Sequence, residues 1–234
     1  MKNIVVLTGA GMSAESGLST FRDSGGLWES YDIMDVASVE GWQRNKELVL
    51  RFYNDRRKQA YKAKPNAGHY ALADLEQKYN VTIITQNVDN LHERAGSTDV
   101  IHLHGELSKA RSSVDENDVV EIGDEEIALG QLCKKGSQFR PNIVWFGEMV
   151  PLMNNAMDHT QAANIFIVLG TSLVVYPAAG LIDYVPEDSA IHLIDPVKPD
   201  TYIRRNINYI KETATIGTPR LVEMLLNKKE GNEL

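Results

Sequence analysis

Residues 7–17 read LTGAGMSAESG and follow directly on the apolar run IVV at residues 4–6. Gly9, Gly11 and Ala14 fit G-x-G-x-x-G/A, the spacing of a dinucleotide-binding turn between a strand and a helix. In that reading Gly9 permits a tight exit from the strand and Gly11 lets backbone approach a ligand closely. Ser13 and the N–H groups opening the next helix would hold a pyrophosphate at the positive helix end. A plain strand-to-helix turn would use the same residues. A dehydrogenase would also need an acidic ribose partner about 20 residues on, at the end of a second strand. The continuation here, LSTFRDSGGLWESYD, reads as loop.

Working outward, the runs NIVVLTG, NVTIITQN, DVIHLHG, NIFIVLGTS and AIHLIDP are short and β-branched, and each ends in a turn residue or polar pair. Helical patterns separate several of them, so we expect an α/β fold, a Rossmann-like parallel sheet with helices on both faces. Ligand sites of such sheets lie at the carboxyl ends of the strands. Two stretches break the alternation. Residues about 32–66 carry helical patterns without a strand, and about 108–140 are polar, acidic and without a strong apolar period. They are expected to build a smaller lobe, one part helical and one loop-rich, within a single catalytic domain spanning 1–234. The large lobe would then be about 1–31, 67–107 and 141–234. Thr218-Pro219 fits an N-cap followed by Pro at the first helical position, opening a closing helix RLVEMLLNKK.

The chain has 234 residues, 43% of them hydrophobic, enough for a substantial core. No stretch approaches the roughly 20 apolar residues of a membrane span, and a strand begins almost at Met1, so neither membrane association nor a secretory leader is expected. Cys133 is the only cysteine, which excludes an intrachain disulfide and suits a reducing cytoplasm. The net charge of −8 argues against direct nucleic-acid binding and leaves a basic protein or peptide partner open. Nothing in the sequence reports oligomeric state.

Two further stretches carry chemistry. TQNVDNLHERAG, residues 85–96, places Gln86, Asn87 and Asp89 at a strand end, where Asp89 or Asn90 also suits capping of the following helix. In VIHLHG, residues 100–105, strand alternation puts His102 and His104 on one face. His104 stands at the ligand edge beside Gly105 and is the candidate base near neutral pH; His102 suits a structural hydrogen bonder.

GAGMSAESG with FRD, TQNVDNLHERAG, HLHG, NIVWFGE and GTSLVVYPAAG occur in this order. Together they resemble the sirtuins, NAD-dependent protein lysine deacylases, from about Val5 to the closing helix. The details are most similar to a bacterial and mitochondrial branch associated with acidic acyl groups, which has TFR where other sirtuins have DFR. The resemblance implies that NAD is consumed as co-substrate. The acyl-lysine carbonyl oxygen attacks the nicotinamide ribose, nicotinamide leaves, and a ribose hydroxyl deprotonated by histidine closes on the resulting imidate. Water then gives free lysine and an O-acyl-ADP-ribose. His104 matches that histidine, with Asn87 positioning the ribose, Gln86 facing it, and Asp89 holding the nicotinamide amide. Phe21 would cover the reacting sugar, with Arg22 in the same loop. Gly9, Ala10, Gly11, Ser13, Ala14, Gly170, Thr171, Ser172 and Ala214 would surround the phosphates and adenosine. Asp195 stands where many sirtuins have asparagine, and suits either the ribose hydroxyls or a cap before Pro196.

Val144, Trp145, Phe146, Gly147 and Glu148 resemble the segment that takes an acyl-lysine protein substrate by strand addition. A core strand would equally suit Ile143 and Val144, whereas Trp145 and Phe146 beside a glycine suit a tunnel wall. Tyr53 and Arg56, one turn apart on a predicted helix, would clasp a carboxylate, so succinyl- and malonyl-lysine are the implied substrates alongside acetyl-lysine. Most sirtuins also carry four cysteines around a structural zinc. Here Ser112 and Ser113 stand where the first pair would start and Cys133 is alone near the second, so no zinc is expected. Protein ADP-ribosyl transfer, or a non-enzymatic NAD- or acyl-lysine-binding module, would use the same residues. Hydride transfer is disfavoured by the missing acidic partner.

Overall fold

Alternation along the first strand divides the core in two. In Asn3–Thr8, Ile4 and Val6 face one side and Val5 and Leu7 the other, and all four are buried. The computed structural model describes residues 1–20, 31–199 and 206–228. Among these the strands are β1 (Asn3–Thr8), β2 (Asn80–Thr85), β3 (Val100–His102), β4 (Gly105–Ser112), β5 (Val119–Glu121), β6 (Phe139–Ile143), β7 (Ile165–Leu169), β8 (Ala190–Ile194) and β9 (Asn208–Ile210). The large sheet is wholly parallel, in the order β3-β2-β1-β7-β8-β9. It is the expected Rossmann-like sheet, with order reversing between β1 and β7.

The helices, in chain order among the described residues, are α1 (Gly11–Ala14), α2 (Ile33–Val36), α3 (Val39–Arg44), α4 (Lys46–Lys62), α5 (Ala67–Asp74), α6 (Leu91–Ala95), α7 (Met153–Gln161) and α8 (Ala214–Asn227). Residues of α5 and α8 pack on the face of Ile4, Val6, Ile83 and Ile167. Ala156 of α7 and the 3-10 turns of 178–184 cover the face of Val5, Leu7, Phe166 and Val168. Burying each such side chain contributes about 1.5–3 kcal/mol, which makes this two-faced sheet the rigid base of the molecule.

A third core belongs to a smaller lobe. Val49, Leu50, Phe52 and Tyr53 of α4 pack with Leu107, Ala110, Ile127, Ile143 and Trp145. The helical stretch is three helices, α2 to α4, and Asn45 separates the last two: it ends α3 and caps α4, its Oδ1 accepting from the Leu48 N–H at 3.0 Å. The second insertion is loop-rich, as expected, but it is framed by an antiparallel sheet that the sequence did not announce: β4, β5 and β6 pair in the order β5-β4-β6. Its register shifts between Glu106 and Ala110, and this bulge destroys the two-residue apolar period that would have announced β4.

The closing helix also differs from expectation. It starts at Ala214, so Thr218 is not its cap and Pro219 lies inside it. Glu15 explains the earlier start. Its carboxylate accepts from the Thr215 N–H at 3.1 Å and from Thr215 Oγ1 at 2.7 Å, placing negative charge at the positive helix end.

Candidate active site

Thr8 pairs with both Thr85 and Leu169, so β1, β2 and β7 stop at one level. Beyond them, at the order reversal, lies a cavity of about 730 Å³. The large lobe contributes Gly9, Ala10, Gly11, Ala14, Gln86, Asn87, His104, Gly170, Thr171, Ser172, Asp195 and Ala214 to its wall. The small lobe and its junction contribute Tyr53, Arg56, Val144, Trp145, Phe146, Gly147 and Glu148. Ser13 and Asp89 face a smaller adjoining pocket of about 20 Å³, which Ala10, Arg56 and Asn87 also border. Phe21 and Arg22 lie outside the described residues.

The glycine turn packs closely against the loop that follows β7. A Cβ on Gly11 would lie 2.8 Å from Gly170 Cα, and one on Gly9 2.7 Å from Thr171 Cβ. Gly170 has a φ of +56°, and its own Cβ would meet the Met12 nitrogen at 2.5 Å. The glycines therefore let two loops touch at close range, while Gly9, Gly11 and Gly170 also line the cavity. The N–H groups of Gly11, Met12 and Ser13 donate to the Gly170, Gly9 and Ala10 carbonyls. The Ser13 hydroxyl accepts from Asn87 Nδ2 at 3.2 Å and hydrogen-bonds the Asp89 carboxylate. Thr171 is better placed. Its oxygen accepts from Gln86 Nε2 at 3.2 Å and from the Leu173 N–H at 3.3 Å, leaving its own proton for a ligand.

The two histidines do not share a face. β3 ends at His102, and the chain turns through Leu103 and His104 before Gly105, at φ +80°, opens β4. A Cβ on Gly105 would collide with the Asn142 carbonyl, so only glycine makes this turn. His104 Nδ1 lies 3.0 Å from the Gln86 carbonyl, which can only accept, so Nδ1 carries the proton and Nε2 is the free base. Burial pulls the His104 pKa below the ordinary imidazole value, with the Gln86 hydrogen bond opposing it.

His102 is buried, with Nδ1 at 3.2 Å from the Asn87 carbonyl and Nε2 at 2.6 Å from Glu93 Oε1. Burial alone would lower its pKa, but the Glu93 hydrogen bond and charge outweigh burial and raise it. Asn87 is fixed from all sides. Its N–H donates to Thr85 Oγ1 at 3.0 Å, and its Nδ2 donates to the Gly9 carbonyl at 3.0 Å and to Ser13 Oγ. Only Oδ1 is left to meet a ligand, as an acceptor. Asp89 Oδ1 accepts from the Leu91 N–H at 3.1 Å, supporting the start of α6, and burial raises its pKa.

At the small-lobe wall, Tyr53 and Arg56 are both buried, 6% and 8% exposed, yet reach the cavity. Burial keeps the Tyr53 phenol protonated by raising its pKa. The N–H groups of Val144, Trp145, Phe146 and Glu148 all donate within the chain, so strand addition would rely on this segment's carbonyls and Gly147. Asp195 Oδ1 accepts from the Val197 N–H at 2.8 Å, which is the turn-forming role, while the residue still lines the cavity.

The sequence reading missed Glu15 as the anchor of α8, and Arg140, whose guanidinium stacks on Trp145. Glu15 stands inside the glycine-turn motif at a position with no assigned role, and Arg140 lies outside every motif. In the small lobe, Cys133 Sγ lies 3.3 Å from Ser112 Oγ and 3.1 Å from Ser137 Oγ, and Lys135 pairs with Asp115. Among the described residues no cluster of three or more His, Cys, Asp or Glu side chains could hold a metal ion.

Residues 9–177 match the Sir2 family. An NAD-dependent protein deacylase of Bacteroides thetaiotaomicron is 53% identical over 231 residues, spanning 97% of this chain and 99% of that protein. One of the same name from Helicobacter pylori is 51% identical over 228 residues, spanning 96% and 99%. Among solved structures, a Sir2 homolog–NAD complex has a TM-score of 0.87 at 39% identity, over 96% of this chain and 90% of that one. A Sir2–p53 peptide–NAD+ complex has a TM-score of 0.81 at 31% identity, over 96% and 94%. Likeness of this extent runs through both the sheet crevice and the smaller lobe, and the chain belongs to the Sir2 family, the sirtuins.

Proposed function

We infer that the chain is an NAD-dependent protein deacylase, and we propose that it prefers lysines carrying short acidic acyl groups, succinyl and malonyl ahead of acetyl. Deacylase activity is supported by the relatives of that name, and a peptide substrate by the Sir2–peptide complex of the same fold. The residues fit the co-substrate. Asn87 Oδ1 and His104 Nε2 offer acceptors for ribose hydroxyls, the Thr171 hydroxyl offers a donor, and Asp89 stands in the small pocket beside Ser13.

NAD supplies a ribosyl carbon from which nicotinamide can leave. His104 Nε2 would take a proton from a ribose hydroxyl, since its ring is neutral near pH 7 and its proton is parked on Nδ1. Asn87 Oδ1, immobilised by its own amide bonds, would orient that sugar without reorganisation.

One observation carries the acyl preference: Tyr53 and Arg56 are one turn apart on α4, buried, and on the wall of the cavity that also holds His104. A guanidinium and a phenol hydroxyl in a largely apolar wall offer donors that suit a carboxylate. Succinyl, malonyl and acetyl versions of one peptide, incubated with NAD and followed by mass spectrometry, test it. We expect O-acyl-ADP-ribose with faster turnover of the acidic acyl groups, and loss of that preference in Arg56→Met. Undiminished succinyl turnover in Arg56→Met would overturn the assignment. Stable ADP-ribose on the protein would point to transferase chemistry instead. We place the protein in a reducing cytoplasm, on the strength of its single cysteine.

A further inference from the structure

The donor character of the acyl wall depends on a residue behind Tyr53. Trp145 is 2% exposed, and its Nε1–H donates to the Tyr53 hydroxyl oxygen at 3.1 Å. An indole N–H can only donate, so Tyr53 accepts on that side and its own proton must point elsewhere. The indole has little freedom to turn away. The Arg140 guanidinium carbon lies 3.2 Å from the centroid of its ring, and Trp42 packs against it at 5.7 Å. The Trp145 backbone N–H donates to Glu148 Oε2 at 2.8 Å. Glu148 in turn binds Arg140 at 2.7 Å and Arg111 at 3.1 Å, so one carboxylate ties the tryptophan backbone to the cation stacked on its ring.

We propose that Trp145 is a specificity-determining positioning residue, whose indole N–H commits the Tyr53 hydroxyl to donating into the cavity. With that commitment Tyr53 and Arg56 both meet a carboxylate as donors. Without it, the phenol oxygen is free to serve as donor or acceptor, and the advantage of an acidic acyl group over a neutral one shrinks. The inference rests on the acidic-acyl reading above. It differs from a packing role because the effect passes through Tyr53.

A double-variant cycle on the full chain tests it, reading the ratio of succinyl to acetyl kcat/KM on one peptide with NAD. Trp145→Phe keeps a ring and removes the N–H, and we expect the ratio to fall about two- to tenfold, the net worth of one neutral hydrogen bond. In a Tyr53→Phe background the same change should lower the ratio no further. Equal losses on both peptides, or a multiplicative loss in the double variant, would overturn the proposal. Should Trp145→Phe fold poorly, Arg140→Gln removes the stacked cation, and an unchanged ratio there would also overturn it. A wild-type protein with no succinyl preference fails differently: it removes the acidic-acyl reading, and this inference with it.

Discussion

His102 and His104 stand two residues apart in sequence, and their pKa values move in opposite directions. Burial lowers His104, so its Nε2 is a free base below the usual imidazole range. The acid limb of kcat/KM is therefore expected to have its midpoint under 6.5 and to vanish in His104→Ala, with kcat falling about 10²–10⁴-fold. A limb that survives unchanged in that variant would assign it to another group. The Glu93 contact raises His102, whose stabilising contribution is fully present below its unfolded pKa and is lost as pH rises through the folded one. Its partner Glu93 is lowered, the His102 hydrogen bond and charge outweighing burial, so its contribution is lost instead as pH falls. Beneath them His69 and His92 are buried and neutral, ring centroids 4.8 Å apart. Burial drops His69 to about 4 and His92 well below 6.5. Unfolded histidines take up protons first as pH falls, so stability must decline on acidification. His69 alone should cost about 2 kcal/mol between pH 6.5 and 5, measurable as a falling urea midpoint; a flat midpoint over that range would contradict its neutral burial.

Among elements, those with two-sided burial were legible and those shaped by distant partners were not. β1, β2, β7 and β8 announce themselves as β-branched runs because both faces are covered. β4 has half-exposed residues and a bulge, which leave no period to read. β9 is a three-residue edge strand and too short for any pattern. The start of α8 depends on Glu15, about two hundred residues away in sequence, so no local signal could mark it. Asn66 and His69 form a reciprocal cap on α5, but with His in place of the usual Glu or Gln. The site divides likewise: His104, Asn87 and Asp89 stand in compact motifs, whereas the bonds that set the His104 tautomer and leave Asn87 Oδ1 free come from Gln86, Gly9 and Ser13, distant from the residue each one fixes. The turn between β3 and β4 offers an element-scale test. Gly105→Ala forces a Cβ onto the Asn142 carbonyl at positive φ, so stability should fall by roughly 2–4 kcal/mol. A Tm unchanged by that substitution would mean the turn is not as tight as described.

For the whole molecule, the small lobe is tied together by hydrogen bonds and an ion pair around Ser112 and Cys133, where the family resemblance would place zinc ligands. Ser112, Cys133 and Ser137 bond one another, and Asp115 pairs with Lys135. Chelation with EDTA is accordingly expected to leave Tm and deacylase activity unchanged, and metal analysis to find no stoichiometric zinc; one tightly held zinc per chain would refute this. The glycine contact between the β1 and β7 loops has a wider consequence. A single added methyl at Gly9, Gly11 or Gly170 meets atoms of the opposite loop, mostly backbone, so that rim is closed to gradual change. The facing wall is made of side chains on α4 and the β6 extension, supported by a core of its own. Evolution could thus retune which modification is removed by exchanging residues such as Tyr53 and Arg56, while the dinucleotide end stayed constant. Inherited variation in this lineage should accumulate on one side of the crevice and be purged from the other.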